Sequence, residues 1–96
     1  MQIAKPPGGF AVEEPPAIKK YIESNAEKWP RLPQAWADIK ARLQQTGHRE
    51  GIHVSGAGAG SRLFIAEGDV ASGLPTVKVA YLVLGDTLYI RMVVAV

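Results

Sequence analysis

The sequence predicts an α+β fold: two N-terminal helices packed on one face of a three- to four-stranded antiparallel sheet. Three observations predict it. Between residues 15 and 47 apolar side chains recur at three- and four-residue spacing. After Gly47 that period gives way to extended runs rich in Val, Ile, Leu and Tyr. The last two of those runs are divided by Gly85-Asp86, the size and composition of a two-residue hairpin turn. At 96 residues the chain is expected to form a single domain, 1–96, with too little length for a second core.

Residues 1–9, with Pro6-Pro7-Gly8-Gly9, read as a flexible N-terminal arm. Phe10-Ala11-Val12 suits a short strand or a packed extended segment. Pro15-Pro16 opens the first helix, because proline lacks only an N–H that the first turn leaves unpaired. Ile18, Tyr21, Ile22, Ala26 and Trp29 form its apolar face, and Pro30 is expected to end it. The second helix starts at about Pro33. Leu32, Trp36, Ile39 and Leu43 make its buried stripe. Gly47 is expected to stop it as a left-handed residue past the C-cap.

The second half holds only three cations and three acids (Arg62, Lys78, Arg91; Glu67, Asp69, Asp86). Ile52-His53-Val54 and residues 61–67 read as strands, Gly56–Gly60 and Asp69–Pro75 as loops. Thr76–Leu84 and Thr87–Val96 are long strands. A type II′ turn at Gly85-Asp86 would set Leu84 against Thr87, Leu82 against Tyr89, Ala80 against Arg91 and Lys78 against Val93. One face then carries Val77, Val79, Tyr81, Val83, Leu88, Ile90, Met92 and Val94 toward the helices. The other carries Lys78, Ala80, Leu82, Leu84, Tyr89, Arg91 and Val93, so two cations and a phenol share a face with a gap at Ala80. A one-residue slip would exchange the faces.

Composition excludes several functions. With no cysteine there is no disulfide, thiolate nucleophile or Cys-ligated metal. The first residues lack the apolar core of a secretory signal, and no run has the length of a membrane span. A soluble cytoplasmic protein with no membrane contact is expected. A net charge of +2 is too weak to indicate nucleic-acid binding by itself. Gly56-Ala-Gly-Ala-Gly-Ser61 fits neither phosphate-binding glycine template, since no Lys-Ser/Thr follows and no helix opens after it. His48 and His53 lack further ligands at metal-binding spacing, so neither a metal nor a cofactor is expected. The cations of the helices alternate with Glu23, Glu27 and Asp38 as on an ordinary solvated surface.

Three stretches carry a resemblance: Trp36–Leu43 continuing to Gly47-His48-Arg49-Glu50-Gly51, then Ser61-Arg62-Leu63-Phe64, then Val77 to Arg91. Together they resemble the RelE/ParE superfamily of bacterial type II toxins over about residues 32–95. The resemblance implies a RelE/ParE-like sheet with two helices on one face. It also implies a cytoplasmic toxin held by a cognate antitoxin. RelE-like members cut mRNA on the ribosome; ParE-like members inhibit DNA gyrase without nuclease residues. In an endoribonuclease of this kind, Arg91, Tyr89 and His48 are the candidate catalytic residues. Arg62, Lys78 and Arg49 are the candidates for binding nucleic-acid phosphates. In-line cleavage needs proton transfer and cations around the charged phosphorane. The chain departs from the nuclease pattern after Arg91, where Met92–Val96 contains no Tyr, His or basic residue. Two catalysis-free readings therefore stand beside it: a gyrase-type inhibitor, and a small homodimeric module pairing through the C-terminal strand.

Overall fold

The computed structural model describes residues 2–56 and 58–96. Met1 and Ala57, the latter inside the expected Gly56–Gly60 loop, lie outside the described residues. Six strands and two helices follow the order β1 (Gln2–Ile3), β2 (Ala11–Glu13), α1 (Pro16–Asn25), α2 (Leu32–Thr46), β3 (Ile52–His53), β4 (Ser61–Ala66), β5 (Val77–Leu84) and β6 (Thr87–Ala95). The strands form one sheet in the order β1-β2-β6-β5-β4-β3. A radius of gyration of 13.0 Å is that of a single domain of this length.

This corrects the expected fold class. The sheet is six-stranded and mixed, and two strands precede the helices. β1 lies within the segment read as an arm. The Pro6–Gly9 turn folds the chain back, and Gly9 donates its N–H to the Pro6 carbonyl at 3.0 Å. Gln2 and Ile3 then pair antiparallel with Glu13 and Val12. β2 in turn lies parallel to the start of β6, with Val12 beside Leu88. A parallel neighbour seventy-six residues away leaves no local pattern in the chain, and strands of two and three residues are too short to show a period.

The helices follow their spacing more closely. Ile18 and Ile22 of α1 and Leu32, Trp36, Ile39 and Leu43 of α2 are buried. α1 ends at Asn25 rather than at Pro30, with Asn25 amide donating to the Tyr21 carbonyl at 2.8 Å in its last turn. Gly47 is right-handed, with φ −58°, not left-handed. Its small size is what matters there: a Cβ would come within 2.5 Å of the Leu43 carbonyl and 2.7 Å of Leu88 Cδ1.

β5 and β6 join through Gly85 at φ 60°, as a type II′ turn requires. Leu84–Thr87 and Leu82–Tyr89 pair as the turn dictates, but a bulge follows. Tyr81 pairs with Ile90 and Ala80 with Met92, so Arg91 is the extra residue. The expected pairs Ala80–Arg91 and Lys78–Val93 are thereby corrected to Ala80–Met92 and Lys78–Val94. Beyond the bulge the faces exchange. Val93 is buried in the core, while Met92 is 52% exposed.

Both helices cover one side of the sheet. Val12, Phe64, Val77, Val79, Tyr81, Leu88, Ile90 and Val93 meet the helical side chains in one core. Tyr81, fully buried, donates its hydroxyl to the Gly47 carbonyl at 2.6 Å and the Glu50 carbonyl at 3.1 Å, fixing the exit from α2. Burial pushes its phenol above the ordinary value of 10.0, against a smaller opposing pull from Arg62 beside it. At the start of α1, Glu14 is buried. Its carboxylate accepts the Trp36 indole N–H at 2.6 Å and the Lys40 ammonium at 3.2 Å, which ties β2 to α2.

Candidate functional site

Among the described residues no helix covers the other side of the sheet. Alternation along each strand fixes which side chains stand there. Glu13, Tyr89, Leu82 and Ser61 form one row across β2, β6, β5 and β4. Met92, Ala80, Leu63 and Ile52 form the next, across β6, β5, β4 and β3. Val94, Lys78 and Ile65 form a third, and Leu84 and Thr87 lie at the turn end. Most of these residues are apolar. Ile52 (64%), Leu84 (53%), Met92 (52%) and Ile65 (43%) keep much of their surface in contact with solvent. Single exposed hydrophobic residues are ordinary, whereas a contiguous patch marks a contact surface.

The face is shaped as well as apolar. A depression of about 220 Å³ lies over Ala80, with Val54, Ser61 and Arg91 among its walls. A second, of about 360 Å³, is lined by Glu13, Leu82, Leu84, Tyr89 and Arg91 among others. Arg91 is the cation common to both. The bulge accounts for this position, because it leaves Arg91 and Met92 exposed in succession.

The six residues singled out from the sequence fall in three places. Lys78, Tyr89 and Arg91 share the open face. Arg62 pairs with Tyr81 and therefore points to the covered side. There its Nε donates to the Glu50 carbonyl at 2.6 Å and an Nη to the Gly51 carbonyl at 3.3 Å. His48 and Arg49 are exposed just past α2, with the His48 ring 5.3 Å from that of Phe10. The open face thus gathers three of the six; Arg62 turns its guanidinium to the Glu50 and Gly51 carbonyls, although it lines the same depression as Arg91. Among the described residues no group of three or more His, Asp or Glu is arranged to hold a metal ion. No helix among them is long and apolar enough to cross a membrane.

Sequence reasoning missed Glu13, Met92, Ile52 and Ile65 as members of this face. Residues 61–66 are apolar on both sides of the strand, so alternation gives no direction there. Met92 was assigned to the covered side because nothing in the sequence announces the bulge. Glu14 was missed as the buried acid, although Trp36 and Lys40, one helical turn apart, are the signal that a polar partner lies between them.

No family model, no curated protein and no solved structure matches this chain. Its function is therefore argued from the geometry of the open face.

Proposed function

We propose that this chain is a catalysis-free interaction module whose working surface is the open face of the sheet. The observation that carries the reading is the contiguous exposed set Ile52, Ile65, Leu84, Tyr89 and Met92 on strands whose alternate residues build a closed core. The natural complement of a broad apolar face is another folded protein surface. The edges of the sheet offer less. β1 and β3 are two-residue edge strands, which blunts strand addition. β6, whose end Met92–Val96 is the segment considered for edge pairing, is bonded to β5 along its length and to β2 only at Thr87–Tyr89. Beyond β2, the Ala95 N–H is taken by the Tyr21 hydroxyl at 2.9 Å.

The ribonuclease reading finds less support. Cleavage needs a proton donor, an acceptor and cations converging on one phosphate. The Arg62 guanidinium is engaged by the Glu50 and Gly51 carbonyls, and His48 and Arg49 lie at the end of α2. A single-stranded nucleic acid would also want stacking aromatics, and Tyr89 is the one aromatic residue of the open face. The protein-binding version of the toxin resemblance is compatible with the proposed surface, whereas the nuclease version finds there only Lys78, Tyr89 and Arg91 of its six candidate residues.

A photo-crosslinking residue placed at Met92 tests the proposal in cells. A discrete adduct is expected from that position, lost when Ile65→Lys is added and absent when the crosslinker replaces Gln45 on the exposed side of α2. Equal labelling from both positions, or none from Met92, would overturn the reading.

A further inference from the structure

We infer that the occupant of the open face is a second copy of this chain, packed sheet against sheet about a two-fold axis; the inference rests on the interaction-module reading. Two observations carry it. The first is extent. With strands about 4.8 Å apart and about 3.3 Å of rise per residue, β2, β6, β5 and β4 present on the order of 500 Å² in projection. Small specific interfaces bury about 600–800 Å² of accessible surface per partner, and side-chain relief makes accessible area larger than projection. One apolar face per copy is therefore enough for a modest dimer.

The second is charge. Glu13 stands on β2, in the row of Tyr89 and Leu82. Lys78 stands two strands away on β5, in the row of Val94, two rows further along. Met92 and Ala80 occupy the row between them. The face thus carries opposite charges on either side of Met92 and Ala80, with Arg91 beside Met92 at the bulge. A two-fold axis lying in the contact plane, passing over Met92 and perpendicular to the Glu13–Lys78 diagonal, brings Glu13 of one copy to Lys78 of the other. The same rotation brings Lys78 to Glu13, so both pairs form together, as an isologous contact demands. The two Met92 side chains then meet at the axis, beside the Ala80 of each copy, where the flexible thioether can adapt to its neighbours. Arg91 lines the same depression as Glu13, so its charge has an acid within the same hollow. A nucleic acid or a uniformly acidic partner would leave Glu13 opposed by like charge. A second copy does not.

Sedimentation velocity on the purified chain, over a concentration series from low to high micromolar, tests this. A monomer–dimer equilibrium is expected. Met92→Lys should weaken it by at least about tenfold, and Glu13→Lys and Lys78→Glu should each weaken it by several-fold. The double variant Glu13→Lys with Lys78→Glu should recover most of the wild-type dimer, while Lys20→Glu on α1 should change nothing. Circular dichroism identifies any variant that fails to fold, and the rescue by the double exchange stands independently of such losses. A wild-type chain that stays monomeric throughout overturns the inference, as does a dimer indifferent to Met92→Lys. A double variant no better than the singles overturns the two-fold arrangement. If the chain is monomeric and the Met92 crosslinker still captures one product of another mass, lost with Ile65→Lys, the second copy is excluded while the interaction module stands. If no product forms either, both fail.

Discussion

The two faces of this sheet are made from the same strands, and residue types differ between them less than their surroundings do. On the covered side Val79, Tyr81, Leu88 and Ile90 have 2% or less of their surface exposed. On the open side Leu84 and Met92, neighbours on the same hairpin, keep about half. Adjacent acids show the same contrast: Glu14 is buried beneath Trp36 and Lys40, whereas Glu13 stands in the open row beside Tyr89. Hydrophobic residues alone therefore do not locate a core. A core is where a second layer covers them.

The largest effect that separates the faces is expected from leucine truncation. Leu88→Ala should cost about 3 kcal/mol, because a fully buried side chain leaves a cavity between β6 and α2. Leu84→Ala should change stability by less than about 0.5 kcal/mol. Urea titrations at low micromolar protein, where self-association is suppressed, measure both. Equal costs would mean that the open face is structural, and would break the comparison.

Charge is the next test. Lys40→Met leaves the buried Glu14 carboxylate with the Trp36 N–H and without its ammonium partner. A loss of about 2 kcal/mol is expected, below the figure for a wholly enclosed pair because Lys40 retains some exposure. Lys78→Met, on the open face, should leave the unfolding midpoint unchanged.

A smaller effect is expected from Tyr81→Phe, which removes the hydroxyl that holds the carbonyls of Gly47 and Glu50. About 1–1.5 kcal/mol should be lost at neutral pH. The sign of its pH dependence follows from the raised pKa. The folded protein holds the phenolic proton more tightly than the unfolded chain does, so this contribution is complete below about pH 10 and falls as pH rises through the folded-state value. The wild type should therefore lose more stability than Tyr81→Phe between pH 9 and pH 11. Parallel loss in the two proteins would remove Tyr81 as the source.

These contrasts also mark what the sequence could reveal. Leu32, Trp36, Ile39 and Leu43 declare α2 because four residues at helical spacing outweigh any local ambiguity. Gly85-Asp86 declares the hairpin because few residues tolerate its turn. β1 and β2 are silent for the opposite reason: their pairing depends on a fold-back at Pro6–Gly9 and on a partner far along the chain. Of the candidate site, Lys78, Leu82, Leu84, Tyr89 and Arg91 were legible from the hairpin register. The engagement of the Arg62 guanidinium by the Glu50 and Gly51 carbonyls was not, since it depends on the pairing of Arg62 with Tyr81 across β4 and β5. The bulge was illegible because inserting Arg91 breaks no rule of composition.

The smallest expected effect reads that bulge directly. In an uninterrupted ladder Met92 would face the helices and Val93 would face solvent. With Arg91 as the extra residue the order is reversed, and Val93 is 4% exposed beside Met92 at 52%. Met92→Ala should then cost less than about 0.5 kcal/mol, against about 1.5–2 kcal/mol for Val93→Ala. Paired urea titrations at low micromolar concentration decide between the two registers. A costly Met92→Ala with a silent Val93→Ala would restore the regular ladder. It would also withdraw Met92 from the open face and with it the centre of the proposed two-fold contact. The same truncation should weaken dimerisation even though the monomer scarcely registers it, so one substitution separates what the residue does for the fold from what it does for the surface.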